Sequence, residues 1–318
     1  MKKRLIAFLV ILFLIPSAGM AENVVTSFYP IFIFVRNLCD GIEGMQVRNL
    51  AAPDFGCLHD YQLTVSDMKA LSKADIFCIN GAGMEEYLTH VYDALPELSV
   101  IDASDGAEEV RLIDGDGEPA EHNHDEDDEE HEDHHEHSHE HHHDLNPHIW
   151  MDVSNAVIMV RNLTEGLSEA MPNHRGAFER NRDRYIARLE SLDAELKEAL
   201  SSLIRRDIVT FHEAFPYFAY AYGLNVAAVM AVEPGDALNP KEMMDLIRTE
   251  KELGNPPLFT EPQYDSPIAR TVSEETGASL YSLDPCVTGP ENPPLTYYED
   301  VMRENLRILQ TALGGATP

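Results

Sequence analysis

The chain has 318 residues, of which 23 are basic, 56 acidic and 15 histidine, for a formal net charge of -33 and a pI near 4.6. The length and an apolar fraction of 44 % suit about two compact domains, each with its own core. Such an acidic excess argues against nucleic acid and anionic lipid as partners, because both repel it.

The acid is concentrated in one place. Residues 114–144 hold 15 of the 56 acidic residues and 10 of the 15 histidines, and no Lys or Arg. One segment, not the whole surface, is polyanionic.

Taken in chain order, Lys2, Lys3 and Arg4 precede an unbroken apolar run, Leu5 to Ile15, and Gly19-Met20-Ala21 gives a small-x-small cleavage pattern. This predicts a secretory signal peptide over residues 1–21, since the run is far shorter than the ~20 residues a membrane span needs. The mature chain is expected to be exported, to the periplasm or the cell surface. No Cys stands near the cleavage site, so a lipid anchor is not expected.

Strands are expected at Val24–Phe28, Gln46–Ala52, Ala74–Ile79 and Val100–Ala103, and helices at Pro30–Leu38 and Ser66–Ser72. The alternation predicts an α/β lobe with a mostly parallel sheet, residues 22–171. The 114–144 tract interrupts this lobe. Its composition is too polar to offset the entropy of ordering, so it reads as a disordered loop.

A helix is expected to start near Asp152. From Pro172 to Arg206 the apolar residues Phe178, Tyr185, Leu189, Leu192, Leu196, Leu200 and Leu203 recur at helical spacing. A single rigid helix of this length is long enough to link two lobes. Strands at Ile208–Phe211, Val226–Val232, Leu258–Thr260 and Ser279–Leu283 follow, with helices at Lys241–Leu253, Pro267–Thr276 and Tyr298–Leu313. They form a second α/β lobe, residues 207–318.

Five histidines lie outside the tract. His90 and His174 sit in polar stretches and read as solvated. His59 and His212 follow strands, as does Asp284, and His148 precedes a helix. Ligands of open α/β sheets bind beyond the carboxyl ends of strands, so these four side chains are placed to meet in an inter-lobe cleft. Three neutral imidazoles and one carboxylate suit tetrahedral zinc, whereas manganese favours more oxygen ligands. The tract histidines, His122, His124, His131, His134, His135, His137, His139, His141, His142 and His143, sit beside carboxylates and form weak accessory metal sites.

Enzyme signatures are absent. His212-Glu213 opens an H-E-x-x-H pattern, but the fifth position is Pro216. There is no nucleophile elbow and no phosphate loop. Cys39, Cys57, Cys78 and Cys286 permit two disulfides in an oxidising compartment, in three possible pairings.

Several ordered blocks resemble the metal-binding subunits of ABC importers for zinc and manganese, the zinc-uptake solute-binding proteins. They are Thr26-Ser-Phe-Tyr-Pro30, His59-Asp-Tyr-Gln62 with Ser66-Asp67, Ala74-Asp-Ile-Phe, Asn80-Gly-Ala-Gly-Met-Glu85, Asn146-Pro-His148-Ile-Trp-Met-Asp152, Phe211-His212-Glu-Ala-Phe215, Tyr217-Phe-Ala219, Tyr222-Gly-Leu224, Glu261-Pro-Gln, Glu275-Thr-Gly277 and Leu283-Asp284-Pro285. The resemblance covers nearly the whole mature chain.

It implies metal ligation by His59, His148, His212 and Asp284, with zinc as cargo. His212 stands where manganese members tend to have Glu. It also implies a membrane permease as partner, a monomer, no catalysis, and a linking helix at residues 172–206 that restricts lobe motion. The alternatives are manganese or broad-specificity binding, a metal-dependent adhesin, and a zinc hydrolase with water in place of Asp284. Where the family commonly has Asp-Pro before the first histidine, this chain has Cys57-Leu58. Cys57 lies two residues before His59 and Cys286 two after Asp284, so a Cys57–Cys286 bridge is expected, with Cys39–Cys78 as its companion. Otherwise Cys39 and Cys78 are buried apolar thiols.

Overall fold

The computed structural model describes residues 22–56, 58, 61–107, 146–230, 239–264 and 266–314. The expected signal peptide, the His-Asp-Glu tract, Cys57 and His59 lie outside the described residues.

The first sheet is built from β1 (Glu22–Thr26), β2 (Met45–Asn49), β3 (Ile76–Ile79) and β4 (Ser99–Asp102), all parallel, in the order β2-β1-β3-β4. β3 is buried at every position, as its unbroken Ile-Phe-Cys-Ile run requires of a strand covered on both faces. Helices α1 (Tyr29–Leu38), α2 (Val65–Leu71) and α3 (Leu88–Ala94) connect these strands. α2 begins with a capping box in which Thr64 and Asp67 exchange side-chain and backbone hydrogen bonds.

The chain then passes through α4 (Val153–Ala170) into α5 (Arg175–Ser201). The second sheet repeats the first. β5 (Asp207–Thr210), β6 (Asn225–Val229), β7 (Leu258–Thr260) and β8 (Leu280–Ser282) are parallel in the order β6-β5-β7-β8. α6 (Pro216–Tyr222), α7 (Pro240–Glu252), α8 (Pro267–Thr276) and α9 (Tyr297–Leu313) complete this lobe.

The linking helix is shorter than its sequence pattern suggests. A 3₁₀ turn over Pro172–His174 precedes it, and the helix ends at Ser201, before Leu203. Its 27 residues still reach ~40 Å. The apolar stripe from Phe178 to Leu200 is buried, and the helix packs against α1 and α4 on one side of the molecule and α6 and α9 on the other. Arg188 ties three of these elements together. It pairs with Glu299 of α9 at 2.8 Å, lies over the Tyr185 ring, and donates to the side chain of Asn37 on α1.

The two lobes share one core. A single cluster of buried side chains runs from Val24 in β1 to Leu313 in α9. A smaller cluster, around Val209, Leu258 and Val272, lies under α7 and α8. The inter-lobe seam is also hydrogen bonded. Trp150, fully buried, donates its indole N–H to the Pro285 carbonyl at 2.7 Å and accepts from the Tyr298 hydroxyl at its own carbonyl at 2.6 Å. Tyr29 donates to the Pro290 carbonyl at 2.8 Å.

The expected disulfides are not formed. Cys39, Cys78 and Cys286 are buried free thiols. Cys78 is in the interior of β3 and Cys39 caps α1, and both fill core volume as small apolar groups. Burial pushes the Cys39 thiol up to about 12, so it stays protonated. Cys286 sits in a left-handed turn at φ 63°, and its side chain is fully buried in the shared core. His174, expected to be solvated, instead pairs with Glu22 at 2.9 Å and ties the start of α5 to β1. His90 is exposed, as expected.

Trp150→Phe keeps most of the apolar volume but leaves the buried Pro285 carbonyl without its indole donor. The expected cost is about 1–3 kcal/mol, read as a lower urea midpoint. An unchanged midpoint would mean that this bond does not hold the seam.

Candidate metal site

The site lies at the carboxyl ends of the strands, where the lobes meet. His148 stands at the N-cap of the 3₁₀ turn Ile149–Met151 and is 1 % exposed. His212 comes two residues after β5, and Asp284 two residues after β8. The His148 and His212 rings, one from each lobe, lie 5.0 Å apart, centroid to centroid, and nearly perpendicular at 83°. Among the described residues no three His, Cys, Asp or Glu side chains close on a common point. The expected set includes His59, which those residues do not contain.

Both imidazoles are oriented by an oxygen acceptor. His148 Nδ1 lies 2.8 Å from Asn146 Oδ1, which also accepts from the His148 backbone N–H at 2.9 Å. His212 Nδ1 lies 2.7 Å from Glu261 Oε1. An oxygen acceptor at Nδ1 holds the proton there and makes Nε2 the basic nitrogen. That is the tautomer through which Nε2 can bind a metal. Glu261 follows β7 directly and is only 4 % exposed, and its other oxygen accepts from Gln263.

Further contacts fix where these side chains sit. Asn146 Nδ2 donates to the Glu213 carbonyl at 2.8 Å, so the residue that orients His148 also holds the backbone beside His212. Asn80, directly after β3, donates to the Pro147 carbonyl at 3.0 Å. Buried Glu85 in turn accepts from the backbone N–H groups of Asn80 and Gly81, at 2.7 and 3.0 Å. Gly81 has φ +78°, and a Cβ there would lie 1.9 Å from Asp102 Oδ1, so this turn needs glycine.

Asp284 is held by its backbone. Its N–H donates to Asn305 Oδ1 at 2.9 Å, and its Oδ1 accepts from the Cys286 N–H at 2.7 Å. Burial pushes its carboxyl up to about 6, and the charge of Glu261 pushes the same way against the Cys286 hydrogen bond. A desolvated carboxylate beside a second one is strongly relieved by a cation.

The strand-end argument therefore places His212 and Asp284, and the structure puts His148 beside His212. The orienting groups Asn146 and Glu261 were not singled out from sequence. Each stands within a quoted block, but its partnership with a ring nitrogen is a tertiary fact.

Because the folded state holds the Asp284 proton more tightly than the unfolded chain, this group favours folding below pH ~4. That contribution is lost as pH rises through about 6. In metal-free protein, Asp284→Asn is expected to raise stability at pH 7.5 by about 2–3 kcal/mol and to leave it nearly unchanged at pH 4, measured by urea unfolding at both pH values. An equal change at both would contradict the buried, raised carboxyl.

The model of the zinc-uptake complex component A, periplasmic, matches residues 24–312. The zinc-binding protein AdcA of Streptococcus pyogenes serotype M3 is 32 % identical over 292 residues, which cover 91 % of this chain and 55 % of that protein. The high-affinity zinc uptake system protein ZnuA of Brucella abortus is 30 % identical over 319 residues, covering 95 % of this chain and 93 % of that protein. The chain thus spans about half the length of its AdcA relatives and nearly all of this ZnuA. A crystal structure of ZnuA superposes with a TM-score of 0.74 at 23 % identity, over 92 % of this chain and 100 % of that one, and so shares the fold. With the family model matched over nearly the whole described length, the chain belongs to the family of the periplasmic zinc-uptake component.

Proposed function

We propose that this protein captures zinc outside the cytoplasmic membrane and delivers it to the membrane permease of an ABC importer, without catalysing a reaction. The observation that carries this reading is the pair of inter-lobe imidazoles, His148 and His212, each with Nδ1 committed to an oxygen acceptor. His59 and Asp284 complete the proposed set. Three neutral nitrogens and one carboxylate fill a tetrahedron, leaving no open position for a reacting water. Among the described residues, no helix is long and apolar enough to cross a membrane, which fits an extracytoplasmic capture protein that needs a separate permease.

The shared core and the long helix limit how far the lobes can part. Release therefore requires a small displacement of one ligand, driven by docking, rather than a wide hinge. Protons compete with the metal at every ligand. Burial raises the Asp284 carboxyl to about 6, and a metal-bound imidazole must be neutral, so affinity falls as pH drops below about 6. The tract histidines form a second, weaker population that collects metal.

Competitive titration of the mature chain with zinc and manganese tests this reading. One tight zinc site is expected, surviving deletion of residues 122–143 and lost in His59→Ala and His212→Ala. If tight binding disappeared with the tract instead, the protein would be a metal buffer and the inter-lobe assignment would fall.

Glu261→Gln keeps the side-chain shape but removes the charge that holds the His212 tautomer. Zinc affinity is expected to fall about 10–100-fold at pH 7.5 with little change in Tm of the metal-free protein. Unaltered affinity would show that Glu261 does not tune the ligand.

A further inference from the structure

A second pocket lies on the first lobe, away from the inter-lobe seam. It encloses about 390 Å³ between the β1–β2 edge of the sheet and α2. Gln46 and Arg48 alternate onto one face of β2, and Ser66, Lys69, Ala70 and Lys73 follow one face of α2 and the turn after it. A helix face laid against a sheet is ordinarily apolar. This one presents two ammonium groups and a hydroxyl, opposite a guanidinium and an amide.

The charge is unusual for this chain. Acid outnumbers base 56 to 23, and elsewhere cations such as Arg184, Arg188, Lys197 and Arg303 have carboxylate partners. Among the described residues, Arg48, Lys69 and Lys73 make no ion pair, and no Asp or Glu lines the pocket. The nearby carboxylates have other duties. Asp67 accepts the backbone and side-chain bonds of the α2 capping box and the Tyr61 hydroxyl, and Asp75 accepts from the Asn23 backbone N–H. Three cations that line one pocket with no carboxylate in its walls repel one another, and a polyvalent oxyanion removes that repulsion.

We propose that this pocket binds a small phosphate-type oxyanion. Arg48 is placed for bidentate contact, Lys69 and Lys73 for charge, and Ser66 and Gln46 for neutral hydrogen bonds. A lipid phosphate is the weaker source, since a chain of net charge -33 is repelled by an anionic membrane. The bound anion ties β2 to α2, the two elements that bracket residues 50–64. This site does not depend on the zinc reading, because none of its residues belongs to the proposed ligand set.

The test uses inorganic phosphate as the probe, titrated into the metal-free chain by calorimetry at low and at physiological ionic strength. One site is expected, weakened at least tenfold in Lys69→Gln/Lys73→Gln, with zinc affinity unchanged in that variant. A parallel titration uses the chain lacking residues 114–144. Equal phosphate binding with and without the tract supports the proposal. Binding equal in wild type and the double variant, or absent from both wild type and the tract-deleted chain, overturns it. Binding that appears only after deletion also overturns it, by showing that the chain's own carboxylates fill the pocket.

Discussion

The structure depends on the seam between the lobes. Trp150 is its centre, and both its indole N–H and its carbonyl are committed across the seam. The indole donates to Pro285, immediately after Asp284, and the Trp150 carbonyl accepts from Tyr298 in the closing helix. The ring packs edge-on against Phe28, at the end of the first strand, and lies beside His148. Segments far apart in sequence are thereby brought to one place. An indole buried without its acceptor would cost more than the bond contributes, so the arrangement is close to all-or-none. The site inherits its precision from this seam, because His148 and Asp284 lie within two residues of its two partners.

Electrostatics add a second constraint. Neutral imidazoles are needed for metal, and each is fixed by an acceptor matched to its setting. The neutral amide of Asn146 serves the fully buried His148, and the carboxylate of Glu261 serves the more open His212. Asp284 is pushed toward its protonated form by burial and by Glu261. The candidate site therefore gathers negative charge that a divalent cation would relieve. This preference for a cation follows from placing two carboxylates in a partly desolvated cleft.

Much of the fold was legible in the sequence, because long periodic or uniformly apolar segments carry their own signal. β7 and α8 have the bounds the sequence suggests, Leu258–Thr260 and Pro267–Thr276. The alternation of strand and helix identified both lobes' parallel sheets. Two short helices were not foreseen. α3 buries only Val91 and so has no stripe, whereas most of α6 is buried, leaving no polar face to reveal its period. Three of the candidate ligands could be named from their positions after strands, and His148 from its place before a helix. Their supports could not, since Glu261 lies 49 residues from His212 and nothing local links the two. The disulfides were misread for a related reason. Flanking positions suggest proximity, but they do not reveal that Cys39, Cys78 and Cys286 occupy core volume.

The common strand order of the two sheets has a further consequence. β2-β1-β3-β4 and β6-β5-β7-β8 are the same wiring used twice, so each strand has a counterpart in the other lobe. The residue directly after the third strand of each lobe is Asn80 in one and Glu261 in the other. Asn80 holds the carbonyl of Pro147, next to His148, and Glu261 holds the ring of His212. The two halves therefore place a clamp for an imidazole-bearing segment at the same topological address. They have diverged in how they use it, one gripping the main chain with a neutral amide and the other gripping the ring with a charge. The molecule contains, within one chain, two solutions to a single positioning problem.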